Sequence, residues 1–169
     1  RHQDQKPVGV AISDEMNRRD FDMMKYMGDN FVRISHYPQD DALLEMCDKK
    51  GMLVWEEIPI VNTVPDTPGY ADNCEFNLKE MIRQHYNHPS IFSWAYMNEV
   101  LLMTMRQYKG KPLTDVIQRT KSLAHRLEMV LEKEDPYRKS AMALHYEDIY
   151  NKVGLTDITN ILGWNIYSG

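Results

Sequence analysis

The sequence is poor in cysteine, the residue that most directly marks a disulfide scaffold or a metal-binding domain. Only Cys47 and Cys74 occur among the 169 residues. Cys47 falls in a helical apolar pattern, and Cys74 falls in a polar stretch that we predict to be a loop. The sequence therefore predicts neither a disulfide framework nor a zinc site, and it leaves the cellular compartment open.

Positive charge and long apolar runs are also scarce. Lysine and arginine total 20 against 25 aspartates and glutamates, which gives a net charge of −5 at pH 7. Without a basic stripe, a nucleic-acid partner is not expected. No apolar run approaches the roughly 20 residues of a membrane-spanning helix, so a membrane partner is not expected either. The opening residues RHQDQKPVG have no signal-peptide pattern, and we expect the chain to be cut from a longer polypeptide.

A glycine-rich phosphate loop is missing after every predicted strand, which weighs against a nucleotide-binding enzyme. The sequence instead alternates apolar, strand-like runs with amphipathic helical segments. Strands are predicted at 30–35, 52–58, 90–97, 139–145 and 158–167. Helices are predicted at 13–27, between Pro38 and Gly51, at 75–87, from Thr114 to 134, and in a short stretch closed by Gly154.

This alternation predicts an α/β fold in which parallel strands are joined by crossover helices. Two architectures fit the pattern. One is an open, doubly wound sheet, and the other is a partial (β/α)8 TIM barrel with about five of the eight strands. In a barrel, residues 1–169 form a single segment that lacks the first strand and the last strands.

Polar side chains collect at the carboxyl end of each predicted strand. The five strands run into SHYP, WEEIP, MNEV, ALHYED and NIYSG, whereas their amino ends carry no comparable groups. In a parallel barrel all carboxyl ends open on one face, and that face is where binding and catalytic sites are built. The pattern therefore predicts a functional site at this end of the sheet.

Each of these residues also has a purely structural interpretation. Glu99 can cap the turn after its strand, and His36 can be a hydrogen-bonded core histidine. Arg33 can form an ion pair with Glu56 or Glu57. None of these residues specifies a function by itself, so the prediction depends on their combination.

Three further residues favour structural roles. Tyr167 is by default an aromatic packing residue. His85 and His88 lie near a helix end without a second Cys or His pair at zinc spacing, so solvated or capping roles are expected.

The combination of RHQD, VRISHYP, CDKKGMLVWEEIP and NHPSIFSWAYMNE, in this order and spacing, resembles family 2 of the glycoside hydrolases. That family contains β-galactosidases and β-glucuronidases. The resemblance covers nearly the whole chain and implies a (β/α)8 barrel that hydrolyses β-linked sugars with retention at the anomeric carbon. It makes the chain part of a glycoside hydrolase active in carbohydrate metabolism.

The resemblance also implies roles for individual residues. Glu99 matches the general acid/base, and Asn98 matches the residue that contacts the sugar 2-hydroxyl. His36 is expected to contact the sugar, and His2 of RHQD matches a substrate-site histidine. A retaining glycosidase needs such an acid to protonate the leaving oxygen and later to deprotonate water.

Two other positions match residues close to the catalytic nucleophile. Arg33 matches an arginine that lies under the nucleophile, and Tyr167 matches a tyrosine near it. The nucleophile belongs to a later strand than any in this chain, so residues 1–169 are expected to be inactive alone. A metal is not expected, since the histidine that helps to hold magnesium in many β-galactosidases has no counterpart after WEEIP. No other cofactor is expected.

The expected partners are a carbohydrate, the rest of the parent polypeptide and, through unpaired sheet edges, further copies of the chain. RHQD favours a β-galactoside over a β-glucuronide. The alternative from another class is a non-catalytic α/β carbohydrate-binding module, in which the same polar residues hold a sugar without cleaving it. An unrelated doubly wound enzyme would need the phosphate loop that is missing.

Overall fold

The computed structural model describes residue 6, residues 8–9 and residues 11–167 of the chain. Within them, five strands alternate with helices along the chain. The strands are β1 (Phe31–Ile34), β2 (Leu53–Glu57), β3 (Ile91–Asn98), β4 (Lys139–His145) and β5 (Ile161–Asn165). The helices are α1 (Asp14–Met27), α2 (Asp41–Lys50), α3 (Tyr70–His85), α4 (Leu102–Gln107), α5 (Gly110–Glu134) and α6 (Ile149–Lys152).

The five strands form one parallel sheet in chain order, β1-β2-β3-β4-β5. The sheet curls strongly. This is shown by Arg33 of β1, which donates a hydrogen bond at 3.1 Å to Asn165 of β5, four strands away. A flat sheet would keep these strands roughly 19 Å apart at the usual spacing. The fold is therefore a curled half-barrel, which confirms the predicted partial (β/α)8 barrel.

The concave interior of the half-barrel holds a cluster of Trp55 and three alanines, against which the partly buried Phe92 and Ile161 pack. Trp55 lies against Ala95, Ala141 and Ala143. A Cβ at Gly163 would lie 3.3 Å from the Trp55 ring, a tight contact that glycine avoids where β5 passes the indole. This packing layer forms the floor below the carboxyl ends of the strands.

Helix α1 follows the capping signals of its sequence. Ser13 is the N-cap and its hydroxyl accepts a hydrogen bond from the Met16 amide at 3.3 Å, while Asp14 and Glu15 lie in the first turn. Gly28 ends the helix with φ = 97°, a left-handed conformation that suits glycine. The predicted helix at 13–27 is confirmed, and so is the strand at 139–145.

Helix α3 begins earlier than the sequence suggests. It starts at Tyr70, after Gly69 at φ = 77°, so Cys74 lies buried in a helix rather than in the predicted loop. Asp72 and Asn73 are exposed and give the first turn of this helix the polar pattern of a loop. Both cysteines are buried and free, and burial raises the pKa of Cys47 to about 12.

Helix α5 also begins earlier, at Gly110 rather than at Thr114. Pro112 lies in its first turn, where a missing amide hydrogen breaks no intrahelical bond. The short helix α4 was not predicted at all. No helix in the described part of the chain is both long and apolar enough to cross a lipid bilayer.

Candidate active site

The carboxyl end of β3 has an unusual backbone. Glu99 adopts φ = 51°, a left-handed conformation that costs a residue with a side chain roughly 1–2 kcal/mol. Its amide nonetheless donates to the Ala143 carbonyl of β4 at 2.8 Å, and the β3–β4 register shifts between Ala95 and Asn98. Strain of this kind clusters at functional sites. Both Asn98 and Glu99 are 4% exposed, so the turn presents a buried amide and carboxylate together.

The two oxygens of the Glu99 carboxylate have different surroundings. Oε1 accepts hydrogen bonds from Asn165 Nδ2 at 2.7 Å and from the Tyr167 hydroxyl at 2.6 Å. The bond to Glu99 raises the pKa of Tyr167. Oε2 makes no hydrogen bond to any residue that the structure describes. The carboxylate therefore does not cap its own turn. Asn165 of β5 and Tyr167, just after β5, hold one of its oxygens, and the other oxygen is open.

Arg33 connects the strand ends of β1, β2, β3 and β5. Its Nε and Nη2 donate to the Glu57 carboxylate at 2.9 and 3.1 Å, in a two-pronged ion pair. Nη2 also donates to Asn98 Oδ1 at 2.7 Å, and Nη1 donates to Asn165 Oδ1 at 3.1 Å. Arg33 is thus the ion-pair partner of Glu57, as its structural interpretation expected. The same guanidinium also orients the side-chain amides of Asn98 and Asn165.

Glu57 is completely occupied by this network. Besides the two bonds from Arg33, it accepts one from Trp55 Nε1 at 2.9 Å and faces His36 Nδ1 at 2.6 Å. A carboxylate has about four acceptor positions, so all of them are used. Because Glu57 accepts, Nδ1 of His36 carries the hydrogen, and the Nε2 atom of the partly exposed imidazole makes no hydrogen bond to a described residue.

The network also fixes the direction of the Asn98 amide. Its Oδ1 accepts from Arg33 and from Asn165 Nδ2, the latter at 3.0 Å. The Nδ2 group of Asn98 makes no hydrogen bond within the described residues, so it is the part of the amide that can donate to a ligand.

A cleft of about 400 Å³, which we call the Glu99 cleft, opens beside Glu99 between α4 and the ends of β4 and β5. Its lining is Glu99, Leu102, Arg106, His145, Tyr146, Asn165, Ile166 and Tyr167. His145 ends β4 and is 6% exposed. Its Nδ1 lies 2.7 Å from the hydroxyl of the buried Tyr150.

Glu56, the neighbour of Glu57, points to the opposite side of β2. It accepts from the Gln39 amide at 3.0 Å and is paired with His85 Nδ1 at 2.9 Å. His85 is 3% exposed, so the predicted solvated role was wrong: this histidine holds a buried carboxylate. His88 likewise has a carboxylate partner, with its Nδ1 2.7 Å from Asp48.

The structure brings together five of the six residues that the sequence singled out. Arg33, His36, Asn98, Glu99 and Tyr167 form one connected network, whereas His2 lies outside the described residues. The prediction missed Trp55, Asn165 and His145, and it named Glu57 only as a possible ion-pair partner of Arg33. Within the described ranges, no group of three or more His, Cys, Asp or Glu side chains is arranged to hold a metal ion.

A curled parallel sheet with carboxylates, amides and an arginine converging at its carboxyl rim defines a class of protein, the (β/α)8-barrel enzyme domain. The family model described as "Glycosyl hydrolases family 2, TIM barrel domain" matches residues 1–165. The chain belongs to family 2 of the glycoside hydrolases.

The relatives include both activities that this family is known by. A putative β-glucuronidase of Formosa agariphila is 34% identical over the whole chain, and a β-galactosidase of Thermoanaerobacter pseudethanolicus is 46% identical over 60% of it. A solved structure of Bacteroides uniformis β-glucuronidase is 66% identical, with a TM-score of 0.95 over the whole chain.

The chain spans only about a fifth of these proteins. It covers 19% of the Formosa protein and 20% of the Bacteroides uniformis structure. The site described above therefore corresponds to one part of much longer polypeptides.

Proposed function

We propose that the chain is part of a retaining β-glycosidase that acts on β-glucuronides. Relatives named β-glucuronidases match along its whole length, among them the Bacteroides uniformis protein at 66% identity. The β-galactoside preference expected from RHQD has weaker support, a β-galactosidase match that covers 60% of the chain. A β-galactoside is kept as the second candidate substrate.

Glu99 acts as the general acid/base in this proposal. The observation that carries it is the asymmetry of its carboxylate, in which Asn165 and Tyr167 hold Oε1 and leave Oε2 open. Oε2 gives a proton to the glycosidic oxygen as the bond to the sugar breaks. It later removes a proton from the water that releases the sugar.

The sugar lies on the side of Glu99 that faces β1 and β2. Asn98 Nδ2 donates to the 2-hydroxyl, a bond that strengthens in the transition state. His36 contacts the sugar through Nε2. Arg33 does not contact the sugar but positions Asn98 and Glu57 through its four hydrogen bonds.

The nucleophile of the proposed reaction comes from outside residues 1–169. Glu57 is the carboxylate nearest to this role in the network, yet Arg33, Trp55 and His36 occupy all of its acceptor positions. An attacking oxygen needs a free lone pair, so Glu57 serves as an anchor instead. Tyr167 lies beside the place where a second carboxylate would approach Glu99.

The test is Glu99→Gln in the full-length protein. With a poor leaving group, such as an alkyl β-glucuronide, kcat/KM should fall by roughly a hundred- to ten-thousand-fold, since protonation is lost. With 4-nitrophenyl β-glucuronide the formation of the glycosyl-enzyme should fall much less, because nitrophenolate leaves without a proton.

The matched control is Glu132→Gln, the same change at an exposed position of α5, which should leave both rates as they are. Equal loss on both substrates, or none, would remove Glu99 from the acid/base role. If the wild-type protein prefers 4-nitrophenyl β-galactoside, its substrate is a β-galactoside rather than a β-glucuronide. One that binds a glycoside without cleaving it would support the binding-module alternative.

A further inference from the structure

His145 is a buried polar group with one hydrogen-bonding position that the fold does not use. It lines the Glu99 cleft at 6% exposure, and its Nε2 atom is buried yet bonds to no residue that the structure describes. Buried side-chain nitrogens nearly always have a partner, so this atom requires an explanation. Its position beside Glu99 suggests that the partner is a bound molecule.

The surroundings of His145 decide which ring nitrogen carries the hydrogen. Burial lowers the pKa of His145, as does the charge of Arg106, and the carboxylates of Glu99 and Glu147 only partly offset this. Burial also raises the pKa of Tyr150, so its hydroxyl keeps its hydrogen.

The hydroxyl of Tyr150 already accepts a hydrogen bond from the Leu101 amide at 3.1 Å. The hydroxyl hydrogen has no other acceptor among the described residues, so it is donated to Nδ1 of His145, 2.7 Å away. Because Nδ1 accepts, the neutral imidazole carries its hydrogen on Nε2. The side chain, which lines the Glu99 cleft, thus carries a donor hydrogen that no described residue accepts.

The position of the cleft indicates which part of a substrate it receives. A general acid lies next to the glycosidic oxygen, which joins the sugar to the leaving group. The proposed sugar contacts, Asn98 and His36, do not line the cleft. Glu99 shares the cleft with residues of α4 and with residues at the ends of β4 and β5. Its volume of about 400 Å³ falls within the range of small-molecule sites, roughly 300–1,000 Å³.

We infer that His145 determines specificity for the leaving group, its Nε2–H donating a hydrogen bond to a hydroxyl oxygen of that group. This inference rests on the proposed function. The preferred substrates of the proposed glycosidase are then glycosides whose leaving group is itself a sugar. Leaving groups without an oxygen acceptor leave the donor unsatisfied.

The test compares two substrates with leaving rings of similar size in the full-length protein. One is a disaccharide, and the other is a cyclohexyl glycoside of the same sugar, which lacks hydroxyls on the leaving ring. The measured quantity is the ratio of kcat/KM for the disaccharide to kcat/KM for the cyclohexyl glycoside. His145→Met removes the donor at similar length and should lower this ratio by roughly tenfold, the usual effect of one buried hydrogen bond.

Two further variants separate hydrogen bonding from packing. His145→Gln places an amide hydrogen near the position of Nε2 and should keep most of the wild-type ratio. Tyr150→Phe retains the imidazole but removes the group that fixes its tautomer, and the ratio should fall by a smaller factor than in His145→Met. If His145→Met does not fold, the ratio measured for Tyr150→Phe still tests the inference.

The outcomes distinguish this inference from the proposed function. A ratio that is the same in wild type, His145→Met and Tyr150→Phe would overturn the inference, as would equal ratios in the Gln and Met variants. A wild-type protein that cleaves neither substrate would instead overturn the proposed function.

Discussion

Arg33 orients the other side chains of the site without taking part in the proposed reaction itself. Its guanidinium reaches Glu57, Asn98 and Asn165, which belong to three different strands. The fork geometry of arginine allows these simultaneous bonds, and an ammonium group at the same place cannot reproduce them. The orientation of the proposed sugar-binding amide therefore depends on the shape of this cation as well as on its charge.

Arg33→Lys should reduce both activity and stability. Loss of the two-pronged bond to the buried Glu57 should lower the free energy of unfolding by about 1–3 kcal/mol. The released Asn98 amide should lower kcat/KM by roughly tenfold or more. Kinetics and denaturant unfolding of the full-length protein measure both effects.

Arg83→Lys is the matched control for this change. Arg83 makes the same two-pronged contact with Glu134, at 2.7 and 2.8 Å, but on the exposed face of the helices. Surface pairs contribute roughly 0–1 kcal/mol, so the control should change stability little and activity not at all. Similar losses in both variants would show that Arg33 is only a structural ion pair.

At the scale of elements, Glu56 and His85 join the helical layer to the sheet. Glu56 of β2 binds the Gln39 amide, just before α2, and His85 at the end of α3. Burial favours the neutral form of His85, but the hydrogen bond and charge of Glu56, with smaller contributions from Asp41 and Asp40, outweigh it and raise its pKa.

This raised pKa predicts a pH-dependent contribution to stability. A group whose pKa is higher in the folded state stabilises fully below its unfolded pKa, about 6.5 for histidine. The contribution is lost as the pH rises through the folded pKa. His85→Gln should therefore lower the unfolding temperature of the full-length protein more at pH 6 than at higher pH.

His125→Gln provides the comparison, because His125 is exposed on α5. Its effect on the unfolding temperature should be the same across that pH range. If His85→Gln shows equally little change with pH, the buried pair does not titrate between the folded and unfolded states.

The elements themselves were largely predictable from local pattern, and the contacts between them were not. Strand β4 is apolar on both faces and was predicted to the residue. The start of α3 was hidden by two exposed polar residues in its first turn, and the start of α5 by a glycine and a proline. The period of two along β2 could have shown that Trp55 and Glu57 share one face and Glu56 takes the other. The bond between Arg33 and Asn165 joins residues 132 positions apart, and only the curl of the sheet reveals it.

Some residues of the candidate site were predictable from the sequence, and others were not. Family motifs pointed to Arg33, His36, Asn98, Glu99 and Tyr167. Asn165 lies two residues before Tyr167 and was missed because an asparagine at a strand end has many ordinary roles. His145 could not be recognised without the structure, since its interest lies in one buried atom with no partner in the described chain.

At the scale of the molecule, the described sheet has two edges. Strands β1 and β5 each pair on one side only within the described residues, and a closed barrel would pair them further. Exposed edges tend to associate with other chains. The proposed reaction also needs a group from outside these residues. Glu99 supplies proton transfer, and a retaining reaction requires a second carboxylate about 5–5.5 Å away.

We therefore expect residues 1–169, assayed as a separate chain, to give no glycosidase turnover. The purified chain is incubated with chromogenic β-glucuronide and β-galactoside beside its Glu99→Gln variant, which reveals contaminating enzyme, and beside the full-length protein. Turnover that is present in the chain and absent from the variant would place a nucleophile within these residues. Glu57 would then be the first to test, and such activity would require it to give up at least one of the bonds from Arg33, Trp55 and His36 that occupy its oxygens.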